Sequence, residues 1–223
     1  MKRLLFAIFG IAAMAATLGV TPAPAFPQAA AHAAEPDPRF PQLKLEDLND
    51  QQRRLAEQIL KVSSVGLSGP YNTLLRSPVL GERMFVLLDY LRFNTSVPRR
   101  LNEFAILIQA RLWTSQVEWY AHYPLAIRAG LSEGVAADLK QGKRPASMQP
   151  DEAMVYDFCM ELSGKTGVSD ATFQRAREIF TEQQVVDLVA VSGTYATVAM
   201  LLDAAAQGVP AGNTPPLERL PAR

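Results

Sequence analysis

Cysteine is almost missing from this sequence: Cys159 is the only one in 223 residues. No internal disulfide can form, so the fold must be held by its core. Histidine is scarce too, with only His32 and His122. No dense cluster of His, Cys, Asp and Glu has metal-ligand spacing, and there is no phosphate-cradling glycine loop or nucleophile elbow. The sequence therefore calls for no metal and no cofactor. A charge excess is lacking as well, since 22 Lys and Arg face 22 Asp and Glu. With no basic patch or stripe, nucleic acid is not an expected partner. Sustained period-two alternation, the mark of a half-buried strand, is also absent.

What is present is ordinary globular composition, 48% hydrophobic and 20% charged, and length enough for one sizeable domain. Residues 1–33 read as a general secretory signal peptide. Lys2 and Arg3 start it, an uncharged apolar run follows from Leu4 to Val20, and cleavage sites of the A-x-A type end at Ala25 and Ala33. The run lies at the lower edge of membrane-spanning length, and no cysteine near the start offers a lipid anchor. The expectation is a periplasmic or secreted protein with no stable membrane insertion after cleavage. Residues 34–44 form a Pro-rich linker, 45–208 the domain, and 209–223 an irregular Pro-rich tail.

Between linker and tail the start and stop signals are helical throughout. Helices are predicted from about Asp50 to Ser63, from Pro78 to Phe93, and from Pro98 to Trp113. Others run from Ser115 to Ala129 before Gly130, from Ser132 to Gly142, and from Pro150 to Gly164. The last two span Ser169 to Phe180 and, opened by a Thr181/Gln184 capping box, a stretch reaching Gln207. On the third, Leu101, Phe104, Ala105, Leu107 and Ile108 make an apolar face wide enough for burial in a bundle. The fold class is all-α, in a single domain.

Few residues can carry chemistry. His122 stands four residues after Glu118, which puts both side chains on one helical face. A carboxylate so placed can orient an imidazole for general acid or base work, although a solvated surface pair has the same spacing. Trp113, Trp119, Tyr120 and Tyr123 crowd the same stretch and can serve either as core or as pocket walls. Glu103 interrupts an apolar helix; if it faces inward it needs a partner, for which Arg92, Arg111 and His122 are the candidates. Gly69-Pro70-Tyr71-Asn72 reads as a turn able to bring a hydroxyl and an amide over a pocket. Cys159 lies in the apolar stripe of Val155, Phe158 and Leu162, where a thiol is buried and inert.

The stretch Arg99–Gly130, RRLNEFAILIQARLWTSQVEWYAHYPLAIRAG, resembles the core of the carboxymuconolactone decarboxylase family and its alkylhydroperoxidase-D-like relatives. The likeness rests on E-x-x-x-H followed by A-x-x-x-G, after a helix with a glutamate near its start. It implies an alkylhydroperoxidase-D-like helical bundle that assembles as a homo-oligomer. In the hydroperoxidase branch two cysteines precede the histidine. Here those positions are Ser115 and Glu118, so dithiol chemistry is not expected, since exchange needs a thiolate at each step. In the decarboxylase branch, glutamate and histidine are spaced as Glu118 and His122. The resemblance then implies a carboxy-lyase working without cofactor on a small carboxylated or lactone substrate. His122 would protonate the product carbanion or its enol form, and Glu118 would orient the ring, with Glu103 as a third catalytic candidate. Arg92 or Arg111 would hold the substrate carboxylate, with Tyr71, Asn72, Trp113 and Trp119 as further candidate substrate contacts. Two alternatives remain open at this point: an antioxidant relative that has lost its redox cysteines, and a non-catalytic periplasmic binding or scaffold protein.

Overall fold

The computed structural model describes residues 38–63 and 66–220. The expected signal peptide, both cleavage sites and His32 lie outside the described residues. Among the described residues, helices and turns account for all regular structure and no strand occurs, as the sequence predicted.

A 3-10 turn at Leu45–Asp47 leads into α1 (Asp50–Val62). Its start is a capping box the sequence reading passed over. The Asn49 side chain accepts from the Gln51 and Gln52 N–H groups, while the Gln52 side chain reaches back to the Asn49 N–H. Next comes α2 (Pro70–Leu74), where a plain turn was expected. Gly69 takes φ 64°, and Pro70 occupies the first helical position, where a missing N–H is harmless. The chain therefore winds one full turn. After it, α3 (Pro78–Asp89) continues through a π-helical turn at Tyr90–Asn94, which carries it to the predicted end.

The centre of the molecule is α4 (Arg99–Leu112), buried at every residue from Leu101 to Arg111. It packs against α5 (Gln116–Arg128), α6 (Glu133–Lys140), α7 (Pro150–Leu162) and α9 (Glu182–Ala204), with α8 (Asp170–Ile179) against α7 and α9. Full burial of a side chain such as Leu101, Phe104, Leu107 or Ile108 stabilises the fold by about 1.5–3 kcal/mol each. The polar residues along α4 are buried with it, and each finds a bond. Asn102 donates to the Leu91 carbonyl at 2.9 Å, and Gln109 donates to the Ser163 hydroxyl at 3.0 Å. Ser132, Ser169 and Thr181 cap α6, α8 and α9 through their hydroxyls, as their positions foretold.

Two clusters of charge lock the bundle. On α9, Asp187 accepts from the Ser96 N–H at 2.8 Å, the Ser96 hydroxyl at 2.7 Å, Thr95 at 3.1 Å and Tyr90 at 3.0 Å. Burial pushes this carboxyl up, but the hydrogen bonds led by Ser96 outweigh it and hold it below its ordinary range. At the start of α7, Arg100 reaches Glu152 and also Asp151, the latter at 2.7 Å. By length and composition α9 is apolar enough to cross a membrane, yet half of its most apolar window is buried. The described part of the Pro-rich tail is docked: the Gln116 side chain donates to the Leu217 carbonyl and accepts from its N–H, both at 2.8 Å.

Candidate active site

The short link 113–115 folds α5 back onto α4, and this hairpin brings together residues far apart in sequence. Glu103 points inward. Its Oε2 lies 2.8 Å from His122 Nδ1, with the glutamate 3% and the histidine 7% exposed. An ionised carboxylate only accepts, so Nδ1 carries the proton and donates, which leaves Nε2 as the working nitrogen of the ring. Arg99 adds a looser contact from the exposed side, Nη2 to Glu103 Oε1 at 3.9 Å. On the opposite flank, Tyr195 of α9 stands edge-on to the imidazole, ring centres 5.0 Å apart and planes at 89°. The ring of His122 is thus gripped by a carboxylate and an aromatic wall.

Glu118 is the second buried carboxyl, one helical turn before His122 and 3% exposed. Spacing made it the partner of the histidine; the structure gives that part to Glu103. Neither Glu118 oxygen has a hydrogen bond of proper geometry, and the Ser115 hydroxyl is equally unmatched. Burial pushes the Glu118 carboxyl up to about 8, a rise the nearby Ser115 hydroxyl moderates. At neutral pH it therefore keeps its proton for most of the time.

The phenol of Tyr195 gathers the remaining members. Burial pushes its pKa up and so suppresses its ionisation, Arg92 opposes that rise, and Glu103, Glu118 and Tyr71 add to it. Those four side chains are accordingly within electrostatic reach of one hydroxyl. Tyr71 is buried and meets Phe85 edge-on at 6.4 Å. Trp119 is buried beneath the same helix and stacks on Tyr123, centres 6.3 Å apart. His122 thus meets Glu103 and Tyr195 directly, with Glu118 one helical turn before it on α5.

Three candidates stand elsewhere. The Asn72 amide is spent on the backbone, donating to the Leu43 carbonyl and accepting from its N–H, both at 3.0 Å; it ties the linker down. Trp113 is 45% exposed and lines a separate groove of about 480 Å³ with Val189 and Gly193. Arg111 lines another cavity, near the tail. Sequence reasoning missed Tyr195. It sits within the apolar pattern of α9, where a phenol reads as core, and only the packing of α9 on α5 and α4 gives it a role. No group of three or more metal-ligating side chains occurs among the described residues. Cys159 is fully buried, 3.3 Å from the Ser192 hydroxyl, and burial pushes its thiol up to about 12. It is no nucleophile.

No protein-family model and no curated protein matches the chain. Among solved structures it is similar to the alkylhydroperoxidase AhpD core of an uncharacterized peroxidase-related protein from Ralstonia eutropha JMP134. The two share 18% sequence identity and superpose with a TM-score of 0.64, over 77% of this chain and 91% of that one. At that identity the likeness is one of fold: the chain has the alkylhydroperoxidase-D-like fold.

Proposed function

We propose that this protein is an exported acid–base enzyme, decarboxylase-like, acting without a cofactor on a small carboxylated or lactone substrate. One observation carries the reading. A buried imidazole held by one carboxylate lies a helical turn from a second buried carboxyl that has no partner. A buried polar group left unmatched calls for an explanation, and a substrate that completes its bonding supplies one. Titratable groups set in such different surroundings also divide acid from base.

The chemistry follows from the groups. As the carbon–carbon bond to the carboxylate breaks, its electron pair passes into the conjugated lactone carbonyl and CO₂ departs. Glu118, still protonated, donates a hydrogen bond to the oxygen where charge develops. His122, protonated at both nitrogens and held at Nδ1 by Glu103, delivers the Nε2 proton to carbon and is recharged from water. Glu103 thus takes the orienting role, and Glu118 that of donor. Arg92 is the cation assigned to the substrate carboxylate, since Arg111 lines a cavity that does not include His122.

A dithiol peroxidase would need thiolates at Ser115 and Glu118, and Cys159 is buried and bonded away. The exposed apolar side chains Val79, Val86 and Phe93, seven residues apart along α3 and its π turn, favour assembly with further copies.

The test is CO₂ release from a panel of carboxylated γ-lactones by the chain lacking its leader. His122→Gln, which keeps a donor for Glu103, should lower kcat by about 100-fold or more with the melting temperature little changed. Equal CO₂ release by wild type and variant would overturn the reading. So would a ring that titrates like a free, hydrated histidine in a protein inert to the whole panel; a scaffold would then be left.

A further inference from the structure

Arg111 is 3% exposed. Its Nη1 donates to the Lys140 carbonyl at 3.1 Å, and its Nη2 to the Thr114 hydroxyl at 2.8 Å and the Glu218 carbonyl at 3.0 Å. The Nε–H has no acceptor at all, and among the described residues no carboxylate lies within ion-pairing distance. Among the described residues, buried Glu152 is paired with Arg100 and Glu103 with His122, while Asp187 is met by four hydrogen bonds. A guanidinium stays charged even when burial draws its pKa down, as it does here. A buried cation met only by carbonyls and a hydroxyl is an incomplete ion pair.

Beside it is space for the missing half. Arg111 and Thr114 line a cavity of about 260 Å³ whose other walls include Ile108, Leu112, Leu139, Met160 and Leu220. Tyr156 adds a further polar group, and the lining is shared about evenly between polar and apolar surface. The apolar half would strip water from a phosphate or sulfate without replacing it, whereas a single-charge head on an apolar body fits both parts. The tail forms one wall: Leu220 packs so closely over Gly142 that an added Cβ there would stand 2.5 Å from its Cδ1. Because Arg111 follows Glu103 by eight residues on α4, the cavity lies about 12 Å along the helix from the histidine site.

We infer that the cavity between α4, α6, α7 and the C-terminal tail is a binding site for a small apolar monocarboxylate, its head paired with Arg111 and the Thr114 hydroxyl. The ligand supplies the absent negative charge, its body fills the apolar remainder, and the tail tightens over it. The site stands apart from the His122 chemistry and does not depend on it.

The experiment is a titration of the chain lacking its leader with benzoate, followed by calorimetry and by methyl spectra of Met160 and Leu220. Benzyl alcohol serves as the uncharged analogue and sulfate as the anion without an apolar body. One benzoate should bind per chain and move the Met160 and Leu220 methyl signals, with benzyl alcohol and sulfate each at least about tenfold weaker. Arg111→Gln should lose at least about tenfold in benzoate affinity, and Arg111→Lys should recover part of it. Met160→Phe narrows the cavity without touching the guanidinium, so it should weaken benzoate even if the Arg111 variants fold poorly. His122→Gln should bind benzoate as wild type does. Benzoate binding that equals benzyl alcohol or sulfate, survives in Arg111→Gln or Met160→Phe, falls in His122→Gln, or is absent would overturn the inference.

Discussion

Two buried glutamates, each in the first turn of a helix, have opposite fates. Glu152 opens α7 and is 2% exposed; Arg100 pairs with it and the Gln149 N–H donates to it at 2.8 Å. Glu118 opens α5 and is 3% exposed, yet both oxygens lack a partner. Both helix starts offer a positive dipole end, so the dipole does not separate them. The counter-charge does. Glu152 is a fastening, whereas Glu118 is a buried carboxyl whose solvation has not been replaced, which stability alone would not retain.

The largest expected effect comes from making Glu152 resemble Glu118. Arg100→Ala leaves the Glu152 carboxylate buried with its cap bond alone, and should destabilise the fold by about 3 kcal/mol. A urea midpoint at neutral pH would read this directly. An unchanged midpoint would mean that the pair does not fasten α7 to α4, and the contrast would fall.

Next in size is the pH signature of Glu118. Its folded value of about 8 stands above the ordinary 4.5, so between the two the native state holds a proton that the unfolded chain has released. Stability therefore falls as pH rises through that window, by on the order of a few kcal/mol across it. Glu118→Gln has no proton to lose and should remove this slope, ending more stable than wild type on the alkaline side. Urea unfolding of both proteins from about pH 5 to pH 9 checks it. Parallel stability curves would mean that Glu118 is hydrated, and its part as a donor would fail with them.

How far this contrast was legible beforehand depends on range. Local signals were read well: Ser132, Ser169, Thr181 with Gln184, Pro78 and Pro150 all sit at the helix starts their chemistry demands. The burial of α4 followed from its apolar face, because that face leaves little room for a wet side. Partner choice stays open in the sequence: His122 is one of three candidate partners for Glu103, while spacing favours Glu118 for the ring. Spacing of four put Glu118 and His122 on one face, but the carboxylate that holds the ring comes from across the hairpin, nineteen residues away. No helical period encodes that distance, since it depends on how α4 and α5 dock. Arg111, two turns further along the same helix, lines a cavity that does not include His122, and no local signal marks that. Asn72 looked like a free amide because nothing local marks its bonds to Leu43.

The smallest effect sharpens the comparison most finely. Ser115 precedes α5 as its cap residue, but its hydroxyl makes no capping bond and is itself unmatched. Its one visible service is to temper the rise at Glu118. Ser115→Ala should then leave stability nearly unchanged at acid pH, where Glu118 is protonated in both proteins. It should move the Glu118 titration slightly upward, and a carbon-detected carboxyl titration would measure the shift. A drop in stability of about 1 kcal/mol at every pH would instead mean that the hydroxyl caps α5 in solution. In that event the first turns of α5 and α7 would be more alike than their partners indicate, and the missing arginine would be the sole difference between their glutamates.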